Sequence, residues 1–147
     1  MAEKKKTGKK KSSSQLKVSD LIITDEFKTI KPSADGKSAA ATLMEIPRGV
    51  VLVINKDGNP EGVITAREFL QSIVDGNNPT DMKASGLMNS DIMEIKYDSL
   101  LDKVVPEITK ADPYAVVVTD KSGNFKGYFS PKDYQEALAR INYVRPK

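Results

Sequence analysis

The sequence predicts an α/β chain, in form an α+β sandwich of two β-α-β-β-α repeats related by a pseudo-two-fold axis. Three observations predict it. Residues 50–65 (VVLVINKDGNPEGVIT) and 115–130 (AVVVTDKSGNFKGYFS) align at one offset of 65 positions. Under that offset Val51 falls on Val116, Val53 on Val118, Lys56 on Lys121, Gly58 on Gly123, Asn59 on Asn124 and Gly62 on Gly127. Upstream, Ile30-Lys31 falls on Ile95-Lys96. Self-similarity at a fixed period outranks local propensity in deciding a fold, and two copies are too few for a solenoid. The apolar pattern also runs in the same order through both halves. Finally, 147 residues, 39% of them hydrophobic, suffice for one core shared by two small halves.

The elements follow in order. Residues 1–15 are low in complexity and hold no apolar area to bury, so they read as a disordered Lys-rich tail. Residues 16–78 form the first repeat. Val18 to Ile22 is a short helical lead-in. Phe27 to Lys31 alternates as a short strand and stops at Pro32. Ser33 to Ile46 spaces Ala39, Ala40, Leu43 and Ile46 as a helix does. Val50 to Asn55 is a β-branched run with strand character. Lys56-Asp57-Gly58-Asn59 is a turn, and Glu61 to Thr65 returns as the partner strand. Ala66 to Asp75 sets Phe69, Leu70, Ile73 and Val74 on one helical face. Gly76 to Pro79 breaks that helix and joins the halves.

Residues 79–147 form the second repeat. Ala84 to Met88 is its lead-in and Ile92 to Lys96 its short strand. Ser99 to Lys110 is a helix with Leu100, Leu101, Val104, Val105 and Ile108 on one stripe; Pro106 should kink it or loosen its first turn. Ala115 to Thr119 and Phe125 to Ser130 are the strand pair. Pro131 to Ile141 is the last helix, with Tyr134, Leu138 and Ile141 facing inward. Met88 and Met93 are gap-fillers.

Composition narrows the function. The chain has no cysteine and no histidine, which removes disulfides, thiolate chemistry and the commonest general base and metal ligand. No catalytic residue, metal site or cofactor is assigned, and the expectation is a non-enzyme. Residues 1–17 carry seven lysines and one glutamate, a net +6; residues 18–147 carry 16 basic and 19 acidic side chains, a net −3. The basic character therefore belongs to the tail. The longest clean apolar run, Val50 to Ile54, is far below the roughly 20 residues of a membrane span. The N-terminus lacks the apolar stretch of a secretory signal. A soluble, cytoplasmic protein is expected.

The doubled unit, with Gly62-Val63-Ile64-Thr65-Ala66-Arg67-Glu68 and Gly127-Tyr128-Phe129-Ser130-Pro131-Lys132-Asp133 each entering a last helix, resembles the cystathionine-β-synthase (CBS) domain. Two in tandem look like a Bateman module. The lead-in Leu87-Met88-Asn89 and the strand and turn from Ala115 to Gly123 also fit, so the resemblance covers roughly residues 16–142. It implies a regulatory module that binds AMP, ADP, ATP or an S-adenosylmethionine-like compound in clefts between repeats. It further implies that Asp133 holds ribose hydroxyls, with Ser130 near ribose and phosphate and Lys132 beside them. That cleft would be completed by Ile23, Phe27 and the segment Arg48-Gly49-Val50. The second cleft would join Thr65 and Glu68 to Asn89, Ile92 and the segment Pro113-Tyr114-Ala115. The resemblance also implies a homodimer formed through helical faces, and an effector protein on a separate chain.

The residues themselves support two readings. A carboxylate can accept from both hydroxyls of a ribose diol through charge-assisted bonds, and a helix N-terminus offers N–H groups to a phosphate. Equally, Thr65-Ala66-Arg67-Glu68 is a capping box, and Ser130-Pro131-Lys132-Asp133 is a helix start with proline in its first turn. Glu68 departs from the family aspartate; its extra methylene displaces the carboxylate and eases self-capping. Arg67 and Lys132 reach a phosphate or are solvated charges. Tyr114 stacks on adenine or is a half-buried edge aromatic. The alternatives in function are a ligand-free dimerisation module, or nucleic-acid binding through the tail, whose lysines would release counterions on contact with phosphates.

Overall fold

The computed structural model describes residues 15–141. The expectations placed on residues 1–14, a disordered tail with a nucleic-acid role, lie outside the described residues, as do residues 142–147.

Two three-stranded sheets form. In the first, β1 (Phe27–Ile30) runs parallel to β2 (Val50–Ile54), which pairs antiparallel with β3 (Pro60–Ile64). In the second, β4 (Ile92–Lys96), β5 (Ala115–Thr119) and β6 (Phe125–Phe129) repeat that order. The sequence offset survives as register. Phe27 lies opposite Val50 as Ile92 lies opposite Ala115, and Val51 opposite Ile64 as Val116 opposite Phe129. Both antiparallel ladders shift at the same place, Val53/Ile54 and Val118/Thr119. Both hairpin turns are built alike. Asn55 Oδ1 accepts from the N–H groups of Asp57 (2.9 Å) and Asn59 (3.0 Å), and Asp120 Oδ1 from those of Ser122 (2.9 Å) and Asn124 (3.0 Å). Gly58 and Gly123 take the left-handed backbone there, at φ 84° and 86°.

Strand alternation sorts the apolar side chains into three layers. Val50, Leu52 and Val63 meet Ala115, Val117 and Tyr128 between the sheets, where Phe27 and Phe125 pack edge to face at 5.2 Å. Val51, Val53 and Ile64 point the other way, toward α1 (Gly36–Met44) and α3 (Ala84–Leu87). Val116, Val118 and Phe129 do the same toward α4 (Leu101–Ala111) and α5 (Pro131–Ile141).

The lead-ins exchange halves. Leu16, Val18, Leu21 and Ile23 are buried among Ile95, Leu101, Val104 and Phe129 of the second half. The Val18 N–H bonds to the Ser99 carbonyl and the Leu101 N–H to that of Leu16. In return, Ala84 and Leu87 pack with Ala39, Val51 and Ile64 of the first half. Two glycines permit this exchange. A Cβ on Gly127 would overlap the Ile23 carbonyl oxygen, and one on Gly62 would lie 2.6 Å from Met88 Sδ and 2.9 Å from the Asn89 carbonyl oxygen. The chain is thereby sewn into one unit, with each repeat's last strand flanked by the other's lead-in.

The helices depart from expectation in places with a physical reason. α1 begins at Gly36 rather than Ser33 because the Asp35 carboxylate caps it, accepting from the Ser38 N–H at 2.8 Å. α4 begins at Leu101, and Leu100, expected on the buried stripe, is an exposed N-cap; Leu101, Val104, Val105 and Ile108 are buried as expected. α4 continues unbroken past Pro106. The apolar face of α2 (Ala66–Val74) is largely turned to solvent. Its buried positions are Glu68 and Ser72, with Phe69 half-buried, while Leu70, Ile73 and Val74 are exposed. The cap turns Glu68 inward, and Ser72, one turn on, bonds Met82 Sδ at 3.1 Å, so the apolar residues between them face out. Tyr134, Leu138 and Ile141 of α5 pack on the core as expected, as do Met88 and Met93.

Candidate functional site

The chemistry sits where each last strand turns into its helix. At the β6–α5 corner the Asp133 carboxylate is 4% exposed. Its Oδ2 accepts from the Ser130 N–H at 3.0 Å, and Ser130 Oγ accepts from the Asp133 N–H at 3.0 Å. At the β3–α2 corner Glu68 Oε1 accepts from the Thr65 N–H (2.6 Å) and hydroxyl (2.7 Å), and Thr65 Oγ1 accepts from the Arg67 N–H (3.2 Å). Both corners are therefore reciprocal caps. That does not exhaust a carboxylate, which offers about four acceptor positions.

The two halves meet around the Asp133 corner. A groove of about 630 Å³ is lined by Asp25, Glu26, Ile46, Pro47, Arg48 and Gly49 of the first half and Lys132 of the second. Asp133, next in sequence to Lys132, is buried. Burial holds its carboxyl above the ordinary carboxylate value; the Ser130 hydrogen bonds oppose this, and the like charges of Glu26 and Asp25 add to the rise. Those two acids, from the first half, share the groove lining with the cations Arg48 and Lys132.

The sequence-predicted residues fall into three groups. Arg48, Gly49 and Lys132 share the groove just described. Ile23, Phe27, Val50, Ile92 and Ala115 are structural neighbours of the corners: Ile23 accepts from the Tyr128 N–H at 2.9 Å, and the other four pack in the layer between the sheets. Thr65, Glu68, Asn89, Pro113 and Tyr114 cluster around the other corner. Tyr114 Oη lies 3.1 Å from Thr65 Oγ1, and Glu68 and Asn89 line one polar groove of about 490 Å³ with Arg67, Gln71 and Asp75. Asn89 exchanges both backbone bonds with Val63, at 2.8 and 2.9 Å. Ser130 also shares a cavity of about 290 Å³ with Pro113, Tyr114 and Ala115 of its own half.

Sequence reasoning missed Asp25, Glu26 and Tyr128. Tyr128 is 6% exposed, and its hydroxyl has no hydrogen-bond partner among the described residues. Burial first, then the charges of Glu26, Asp133 and Tyr114, push its phenol up to about 12. One signal was present: Tyr128 stands where the other repeat has Val63. Among the described residues no group of acids could hold a metal ion, and no helix is long and apolar enough to cross a membrane.

Two repeats that exchange lead-ins and present acid-capped corners to each other's half define a paired-repeat module with clefts between the repeats. Comparisons with known proteins agree with this architecture. The CBS domain family model matches residues 18–75, and the chain as a whole has the fold of a CBS-domain pair. A CBS domain protein from Pyrobaculum aerophilum, complexed with AMP, matches at TM-score 0.71 and 19% identity over 86% of this chain and 98% of that one. A CBS domain pair/ACT domain protein from Thermotoga maritima matches at 0.65 and 18%, over 84% and 97%. An uncharacterized conserved protein from Pyrococcus horikoshii matches at 0.68 and 21%, over 91% and 98%. Among curated proteins, a homoserine O-acetyltransferase from Methanococcus vannielii is 23% identical over 122 residues, 83% of this chain. The chain spans about a quarter of that relative's length. CBS domain proteins are regulatory rather than catalytic as a class.

Proposed function

We propose that this chain is a regulatory module that binds an adenosine-type ligand, AMP foremost, in the cleft at Asp133 and signals occupancy to a partner protein. One observation carries the reading: the buried Asp133 of the second half adjoins Lys132 on a groove whose other wall comes from the first half. In this reading Asp133 accepts the ribose hydroxyls, Arg48 and Lys132 face the phosphate, and the Tyr128 hydroxyl, without a partner among the described residues, gains one in the ligand. The last point answers a physical demand, since a buried hydroxyl without a partner costs about 1–3 kcal/mol. The AMP bound to the Pyrobaculum protein supports the choice of ligand class. A ligand that touches both halves shifts their arrangement only through unequal affinity for the two states. Isothermal titration of ligand-stripped protein with AMP, ADP, ATP and S-adenosylmethionine tests it: heat with AMP is expected, and no heat with any of the four refutes it.

A second reading, a homodimerisation module, is favoured by a specific observation. Met44, Leu70, Ile73 and Val74 are 82%, 63%, 59% and 79% exposed on α1 and α2. The equivalent places in the other half are Thr109, Gln135, Leu138 and Ala139, so the apolar patch belongs to one half. A second copy covering it would make an isologous contact. The two readings are compatible.

A further inference from the structure

The two corners are not equivalent, and one difference between them lies in the residue before the central strand. The segment before the central strand carries Gly49 in the first half and Tyr114 in the second. Tyr114 reaches across to the β3–α2 corner, its hydroxyl 3.1 Å from Thr65 Oγ1. The direction of that bond can be deduced. The single Thr65 hydroxyl proton is donated to Glu68 Oε1 at 2.7 Å, because an ionised carboxylate only accepts. Tyr114 is therefore the donor, and a chain runs from Tyr114 through Thr65 to Glu68. The Tyr114 N–H also bonds Asp91 Oδ2 at 3.3 Å, which fixes the loop that carries the ring. At the Asp133 corner Gly49 supplies no side chain, and Ser130 has no hydrogen-bond partner from the first half among the described residues.

We propose that Tyr114 is an internal occupant of the Glu68 cleft, placing its hydroxyl where a ligand hydroxyl would bond, so that the chain takes one adenosine-type ligand, at Asp133. This inference rests on the sensor reading above and adds the stoichiometry and the residue that sets it. The Tyr114 phenol is raised from its ordinary value by burial first; the hydrogen bond with Thr65 opposes the rise and Glu68 adds to it. Removal of the ring leaves the Glu68 corner with no side chain at this position, as Gly49 leaves the Asp133 corner.

Equilibrium dialysis against AMP, read as moles bound per chain, tests this on the full chain. Native protein should bind one AMP. Tyr114→Gly, which installs the side chain the other corner has, should bind two, and Tyr114→Gly with Asp133→Ala should bind one. Far-UV circular dichroism and Tyr114→Phe, which keeps the ring and should still bind one, separate plugging from loss of fold. Two AMP per native chain, or one per folded Tyr114→Gly chain, overturns this inference alone. No uptake by any variant overturns it together with the sensor reading.

Discussion

Replacement of Gly127 by alanine tests the exchange of lead-ins, on which both clefts depend. Gly127 sits in β6 opposite Val118. A Cβ there would overlap the Ile23 carbonyl oxygen and approach Ile23 Cγ1 and Cδ1 to 2.8 and 2.9 Å. Ile23 is 4% exposed and packed against the second half, so it has no free space to enter. Its retreat also stretches the bond from the Tyr128 N–H, now 2.9 Å. Overpacking of this kind costs about 1–3 kcal/mol, and a weakened hydrogen bond adds about 1 kcal/mol, for a total of about 2–4 kcal/mol. For a chain of this size, each kcal/mol lowers Tm by about 3–4 °C, hence a drop of roughly 6–16 °C. Two other glycines calibrate the effect. Gly58→Ala meets nothing within 4 Å but must hold φ 84°, a backbone penalty of about 1–2 kcal/mol. Gly62→Ala presses mainly on the flexible end of Met88 and should fall between or match it. Differential scanning calorimetry of the three variants gives the order. If Gly127→Ala melts with Gly58→Ala, the lead-in does not pack as described.

Three further outcomes are expected. Glu68→Ala should lose about 1 kcal/mol of stability with its cap, seen in urea unfolding, and leave AMP affinity unchanged because Tyr114 holds that cleft. AMP affinity should be full above the raised Asp133 value and decline as pH falls through it, beginning at higher pH than an ordinary aspartate because protons compete with ribose hydroxyls for the carboxylate; titrations across pH, with Asp133→Asn flattening the profile, check this. Ile73→Asp should convert a dimer into a monomer in light scattering without lowering Tm, since Ile73 is 59% exposed and supports no core.

Much of the fold was legible in the sequence because its signals are local. β4 and β5 start and stop at their expected residues, since a short apolar run between turn residues, fully buried in β5, leaves little freedom of placement. The offset of 65 carried the second half once the first was read. What was not legible is what acts across the halves. Nothing in residues 16–23 announces that they pack on Phe129 and Val104; the approach of Tyr114 to Thr65 was expected only through the family resemblance. The direction in which the apolar face of α2 turns was not legible for a related reason. Apolar periodicity assumes the core decides the buried side, whereas here the Glu68 cap and the Ser72–Met82 contact set it. At the site, the acids and the basic pair were identifiable by motif position, but Asp25, Glu26 and Tyr128 enter through tertiary proximity.

The central claim is that Asp133, and not Glu68, grips the ligand. Calorimetric titration of AMP into Asp133→Ala and Glu68→Ala, side by side with native protein, tests it most directly. Loss of charge-assisted bonds worth about 1.5–3 kcal/mol predicts affinity about 10- to 100-fold weaker for Asp133→Ala and native affinity for Glu68→Ala. Native affinity in a folded Asp133→Ala chain would contradict the account.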